Sequence, residues 1–562
     1  MYKITLVNMP FAAADTPSLA LTQLKSIVDE QMSDQVTTSI IYPNQDMAKE
    51  IGLDLYQRIA SDGEYHNTGF GEWFFRQAAF PEQPDNTAQY LSRYYPVPTQ
   101  EKIVIKQLIE EKRPRLESFL RELIDKYELD KSDLVGFSSM FFQNTPSFAM
   151  ARLLKQMVPN IVIVMGGANC ETPMGQEIVK NVPYVNYVFS GPSLKTFPAF
   201  VRHHLEHEGR KCDLMNGVFS RHNCTLRQSR DATGTYMYTN SVGLELNIDE
   251  TPINLDYRSF LDILKTNFPD GGVEPRLFFE TSRGCWWGER SHCTFCGLNG
   301  SFMNYRSMDA QRAINYFHSL FQFAGECFRF DCVDNILPKS YFTDVLPFIN
   351  PPDNVSLFYE VKADLSDEQV ARLAQAKVNF IQPGIESLAT STLKLMRKGT
   401  SACQNIRLLK SCVKHRVFPY WNLLIGFPNE REDVYKKYAK DIPLITHLIP
   451  PTGVFPVRFD RYSPYFMEAE RYGLLLYPFD FYAFTFPFSD ESLKNMAYYF
   501  IDDNFAAEYQ IITARWIGKL QDQFSRWQNL WYGDDPQKVH PRLFMKNQDD
   551  AVWICDSRTG RL

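Results

Sequence analysis

Twice along this chain, short runs of Val, Ile, Leu and Phe alternate with segments of helical period. That alternation constrains the fold more than any other feature, because strands separated by helices pair in parallel and are covered on both faces. The first series reads as strands at Tyr2–Asn8, 36–42, 134–140, 160–165 and 184–189, with a helix over about 147–157. Its strands end in small or polar residues: Asn8, Ser138-Ser139, Gly166-Gly167 and Ser190-Gly191. This predicts an α/β, doubly wound, Rossmann-like domain over 1–204. Its ligand belongs at the carboxyl ends of the strands, where small residues admit a flat molecule close to the backbone.

Residues 205–270 are polar and turn-rich, as in the stretch after Arg230, and read as a linker with little structure of its own. A second alternating series then places strands at 276–282, 328–333, 356–361, 378–385, 418–426 and 453–462. Ser366-Asp-Glu-Gln369 is a capping-box start for one intervening helix. Six such units predict a partial (β/α)6 barrel over 271–462, with its chemistry at the strand C-termini. Beyond 463 aromatics crowd, in Tyr477-Pro-Phe-Asp-Phe-Tyr-Ala-Phe-Thr-Phe-Pro-Phe488 and later at Trp516, Trp527, Trp531 and Tyr532. The expectation is a mainly helical domain over 463–562. Its aromatics either fill a core or line a peptide groove.

Cys285, Cys293 and Cys296 follow the first strand of the second series, in Gly-Cys285-Trp-Trp-Gly-Glu-Arg-Ser-His-Cys293-Thr-Phe-Cys296-Gly. Three thiolates on one glycine-bounded loop ligate three irons of a cubane and leave the fourth open for a small molecule. A structural zinc site is the alternative, with His292 as fourth ligand. Against it, His292 adjoins a ligand along the chain, and only the Cys-x-x-Cys half has zinc-like spacing. The other cysteines, among them Cys327, Cys332, Cys403 and Cys412, bring the total to eleven in a chain whose N-terminus does not read as an export signal. That usage points to a reducing, cytoplasmic setting. A net charge of −7 argues against a nucleic-acid partner, and no apolar run is long enough to span a membrane.

A cysteine triad after the first strand of a partial barrel resembles the radical S-adenosylmethionine (SAM) superfamily, here with a longer first spacing. Further segments fall in the order of that fold: Phe330-Asp-Cys-Val-Asp334-Asn335, then Glu360 and Lys362, then Gln382-Pro-Gly384-Ile-Glu386-Ser387, then Asn422-Leu-Leu-Ile-Gly426-Phe-Pro-Asn-Glu430. The resemblance implies a [4Fe-4S] cluster on the three cysteines, which are also the catalytic residues. It implies SAM contacts from Phe295, Asp334, Asn335, Glu360, Lys362, Gln382, Gly384, Glu386, Ser387, Asn422 and Gly426.

A doubly wound domain ahead of such a barrel is similar to the cobalamin-binding arrangement within the superfamily. That implies cobalamin contacts from Asn8, Ser138, Ser139, Phe141, Gln143, Gly166, Gly167, Ser190 and Gly191, with the loop 140–146 facing the lower side of cobalt. The Asp-x-His-x-x-Gly motif that supplies a cobalt-ligating histidine is absent. The wording of the cysteine loop and Val333-Asp-Asn-Ile-Leu337 resemble radical C-methyltransferases that mature ribosomally made peptides. The expected partners are a precursor peptide and an external flavodoxin- or ferredoxin-like electron donor. The expected reaction is methylation of an unactivated carbon. Epimerisation, cross-linking or rearrangement with cobalamin bound but not methylating is the alternative.

Overall fold

In the first alternating series the apolar runs are continuous because both faces of the sheet are covered. Ile4, Val7, Leu134, Val135, Ile163, Met165 and Val188 are all fully buried. The sheet has six strands, in the order Val36–Ile41, Tyr2–Asn8, Leu134–Ser138, Val162–Gly166, Tyr187–Phe189 and Val218–Phe219. The first five are parallel and the last is antiparallel. Strand order reverses between Tyr2–Asn8 and Leu134–Ser138, which puts the topological switch point of the sheet at the ends Asn8 and Ser138. This computed structural model describes all residues except 98, 208, 210, 211, 225–227, 231–235, 239–241, 301, 302, 533–539, 549, 550 and 559–562. The chain divides into two units: Met1–Phe278 with Pro478–Tyr498, and Phe279–Tyr477 with Tyr499–Leu562.

Between Val36–Ile41 and Leu134–Ser138 runs a long helical insertion, from Pro43–Ile51 to Leu116–Lys126, where the sequence shows no strand. One of its helices, Phe70–Ala79, packs on Asn144–Met157. Glu72 joins the two. Its carboxylate accepts from the backbone nitrogens of Asn144 (3.0 Å) and Thr145 (2.7 Å) at the start of the second helix, where a negative charge meets the helix dipole. Burial nevertheless pushes this carboxyl up to about 7, outweighing the hydrogen bonds from Thr145 and Asn144 that pull it down. A folded-state value above the unfolded one means that its contribution is complete below the ordinary carboxyl value of 4.5 and fades as pH rises through about 7. Between about pH 5 and pH 8 the protein should lose about 3 kcal/mol relative to a Glu72→Gln variant, at 1.36 kcal/mol per unit. Denaturant titrations of both proteins across that range check this; parallel stability curves would sink it.

The described parts of 205–270 are built into the first unit rather than forming a linker. Val218–Phe219 extends the sheet. Helix Arg258–Asn267 buries Phe260, Leu261 and Leu264, one helical stripe. The Phe260 ring meets Tyr42 at 5.2 Å, and Asn267 Nδ2 donates to Gln45 Oε1 at 3.2 Å. Most of the turn-rich stretch after Arg230 lies outside the described residues. The aromatic run 477–488 divides at the unit boundary. From Pro478 onward it is core of the first unit: Phe481, Tyr482 and Phe486 are buried, and the Phe481 ring lies over Gly69.

The second series forms a five-stranded parallel sheet in the order Phe418–Pro419, Val378–Gln382, Ser356–Glu360, Arg329–Cys332 and Arg276–Phe279. The fifth strand is broken. Pro419 cannot donate to a ladder, Trp421 turns its indole to Ile449 O (3.1 Å), and the chain resumes at Leu423–Ile425, paired with Val454–Pro456. A bridge between Glu386 and Leu423 joins the resumed strand to the end of the fourth. Helix Asp367–Gln375 starts with the expected Ser366–Gln369 capping box. The C-terminal part contributes the helix Glu508–Tyr532, whose Trp527 is fully buried with its indole on Leu448 O (2.9 Å). It is not only helical: Leu543–Gln548 and Ala551–Asp556 form a hairpin. Among the described residues no helix is long and apolar enough to cross a membrane.

Candidate functional site

At the C-terminal ends of the second-unit strands lies a cavity of about 220 Å³. Cys285, Cys293 and Cys296 all line it. Gly284, at φ +76°, turns the chain out of the first strand, and Cys285 then caps a single helical turn, Trp286–Arg290. The Cys285 sulfur accepts from Gly288 N at 3.3 Å. Among the described residues no three His, Cys, Asp or Glu side chains gather as ligands of one metal ion. What the three thiols share is the wall of one cavity. His292 bonds Cys296 O through Nε2 at 2.8 Å, and burial lowers its pKa.

Burial pushes the Cys296 thiol up to about 12 and the Cys285 thiol above its usual value. Such thiols ionise only against a strong positive charge, which a metal centre supplies. Two further features show a built site. Thr400 Oγ1, on the cavity wall, is buried with no hydrogen-bond partner. Gly384, at φ +55°, leaves room for the Lys398 ammonium, which a Cβ there would approach to 2.8 Å.

Of the residues singled out as SAM contacts, Phe295, Asn335, Glu360, Lys362, Gln382, Gly384 and Glu386 line this cavity with the cysteines. Burial pushes Glu360 up to about 8, against the pull of Lys398. Burial brings Lys362 down to about 8. The other four are occupied elsewhere. Asp334 lies beneath the loop and accepts from Thr281 N (2.7 Å), Thr281 Oγ1 (2.6 Å) and Ser282 Oγ (2.8 Å). It ties the end of the first strand to the end of the second. Ser387 is fully buried against the Tyr438 hydroxyl, 2.7 Å away. Asn422 bonds the Thr452 hydroxyl. Gly426 N donates to Glu430 and to the Tyr435 hydroxyl, both at 2.8 Å.

Lys398 was not among the expected contacts, yet it sits with the cysteines. Its ammonium pairs with Glu386 at 3.3 Å, and both side chains are 17% exposed. Burial alone would lower its pKa; Glu386 and the thiols of Cys293 and Cys296 more than reverse that and raise it. Its surroundings are stitched to the cysteine loop: Thr294 N donates to Met396 O (3.1 Å), the Trp287 indole to Arg397 O (3.1 Å) and Lys362 Nζ to Lys398 O (2.6 Å). In the sequence Lys398 stands in Leu395-Met-Arg-Lys-Gly-Thr400, which trails the fourth strand.

In the first unit, the polar residues expected at the sheet end bond mainly to one another. Gln143 Nε2 donates to Asn8 Oδ1 (3.2 Å) and Met9 O (2.7 Å), while its Oε1 accepts from Met140 N (3.1 Å). Ser139 Oγ donates to Asn144 Oδ1 (2.7 Å), and Asn169 reaches Ser139 Oγ and Phe141 O. Ser190 Oγ accepts from Thr172 N (2.9 Å). Ser138, Gly166 and Gly191 are half-buried at the same strand ends, and Gly167 packs on the Ser139 backbone. The network leaves Met140 and Phe141 as the exposed groups of the loop, with Phe141 at φ +51°.

A thiol-lined cavity at the mouth of a half-open parallel barrel finds its match in known sequences. Residues 279–442 match the Radical SAM superfamily. A radical SAM domain implies a [4Fe-4S] cluster and SAM, and the cavity described above lies within it. The uncharacterized methyltransferase PH0819 of Pyrococcus horikoshii is 24% identical over 336 residues, 58% of this chain and 67% of that protein. Among solved structures, the cobalamin-dependent radical SAM enzyme OxsB with aqua-cobalamin and SAM bound aligns at TM-score 0.57 and 15% identity. That alignment covers 92% of this chain and 66% of OxsB. The radical SAM methyltransferase TsrM from Kitasatospora setae, with tryptophan and a SAM analogue bound, aligns at TM-score 0.52 and 13% identity over 84% of this chain and 76% of that one. At such identities the likeness is one of fold.

Proposed function

We propose that this protein is a cobalamin-dependent radical SAM methyltransferase that methylates an unactivated carbon of a ribosomally made peptide. The observation that carries the reading is the pairing, in one chain, of a parallel sheet whose strand order reverses and a barrel cavity lined by three cysteines. OxsB and TsrM, of the same fold, are a cobalamin-dependent radical enzyme and a methyltransferase by name. The peptide as substrate rests on the wording and spacing of the cysteine loop.

When bound, the cluster and SAM would supply one-electron reductive cleavage of a carbon–sulfur bond and so the radical chemistry of the reaction. The chain's own part is placement. Cys285, Cys293 and Cys296 hold the cluster, while Lys398, Glu360 and Thr400 offer charge and hydrogen bonds to the cosubstrate's polar ends. Phe295 and Trp287 exclude water from the cavity. The electron comes from a flavodoxin- or ferredoxin-like protein. At the C-terminal end of the first unit's sheet, the exposed Met140 and Phe141 would offer a largely apolar surface to cobalamin.

Anaerobic incubation of the reconstituted protein with SAM, cobalamin and the precursor peptide tests this. The expected products are S-adenosylhomocysteine, 5′-deoxyadenosine and a peptide heavier by one methylene. Deoxyadenosine with deuterium taken up from solvent, and no methylene gain, would replace methylation by epimerisation.

A further inference from the structure

We infer that the Lys398–Glu386 pair sets how easily the cluster is reduced, with Lys398 favouring the reduced state and Glu386 opposing it. The inference rests on the three cysteines holding a cluster. Both side chains line the cysteine cavity, are largely shielded from water and lie 3.3 Å apart. The ammonium interacts electrostatically with the thiols of Cys293 and Cys296 and with that of Cys285.

A cubane on three thiolates carries one negative charge when oxidised and two after accepting an electron. A fixed cation therefore attracts the reduced form more strongly than the oxidised form, and a fixed anion repels it more strongly. Salt screens both effects less than it would at the surface, because each side chain is only 17% exposed. The electron itself comes from a low-potential one-electron donor, and no proton need move.

The position of Lys398 is fixed from three sides. Lys362 and Trp287 bond the carbonyls of Lys398 and Arg397. Gly384 leaves the ammonium its space. The Phe295 ring lies 5.5 Å from the ammonium. A loosely held surface lysine would lack this tethering. Glu386 is itself anchored, since its backbone bridges to Leu423.

Wild-type, Lys398→Met and Glu386→Gln proteins, each reconstituted anaerobically with iron and sulfide, are titrated with titanium(III) citrate in the absence of SAM. The reduced cluster is followed by electron paramagnetic resonance. Lys398→Met should move the midpoint potential to more negative values, because Glu386 remains. Glu386→Gln should move it to more positive values, because the ammonium is left unopposed. The double variant should fall between them. Damage to packing would not shift the two single variants in opposite directions. Unchanged potentials in both, with SAM binding weakened in Lys398→Met, would overturn the inference and leave Lys398 a cosubstrate contact alone. If Lys398→Met takes up no cluster, Glu386→Gln decides, and no positive shift overturns the inference. Wild-type protein that takes up no iron and sulfide would overturn the cluster reading itself, and the inference with it.

Discussion

Cys296→Ala protein should fold normally yet take up no stable cluster and release no 5′-deoxyadenosine. Fold survives because the bonds around Cys296 are backbone bonds: its nitrogen donates to Cys293 O at 3.1 Å, and its carbonyl accepts from His292. Removing one sulfur leaves both in place, so the stability of the metal-free protein should change by less than about 1 kcal/mol. Cluster binding has no such reserve. Two thiolates remain where three irons need ligands. The loss of activity should exceed the roughly 100-fold typical of removing a group that only supports a metal ligand. Visible absorption after anaerobic reconstitution, iron content and deoxyadenosine release are the measurements. A variant that keeps the cluster and its turnover would show that Cys296 is not a ligand.

The strand ends were legible because the same residues serve pattern and chemistry. Asn8, Gly166, Glu360 and Gly384 each close an apolar run, and parallel topology gathers such ends on one edge of a sheet. What the sequence hid follows from tertiary packing. The helical insertion after Ile41 has no motif of its own. The fifth strand reads as one run over 418–426, yet Pro419 and the buried indole of Trp421 break it. The aromatics after Pro478 resemble a groove until Phe481 is seen filling the space above Gly69. Within the site, Asp334 and Glu360 look alike in sequence, each a carboxylate at a strand end. Donors from Thr281 and Ser282 turn Asp334 into an internal brace, while Glu360 opens to the cavity. Lys398 was hidden for the opposite reason. It belongs to a connecting turn, and four hydrogen bonds from the cysteine loop and Lys362 bring that turn to the cluster site.

Gly399→Ala should therefore disable the site although Gly399 itself does not line the cavity. Gly399 sits at φ +67°, where a β-carbon costs about 1 kcal/mol. Its new methyl would lie 2.1 Å from the Trp287 ring, far inside contact distance. The ring has little room to yield: Lys362 Nζ lies 4.0 Å from its centroid, and its indole nitrogen is bonded to Arg397 O. Overpacking of this kind costs roughly 1–3 kcal/mol more. The strain falls on the contact that holds the cysteine loop against the 395–399 turn. Loop and turn should part, moving Cys285 and Cys293 relative to Lys398. The expected result is a protein folded by circular dichroism that binds cluster weakly and loses it on gel filtration. Trp287→Ala, which removes the clash, should partly restore cluster retention to Gly399→Ala, whereas additive damage in the double variant would mean that the strain lies in the backbone of the turn rather than against the ring.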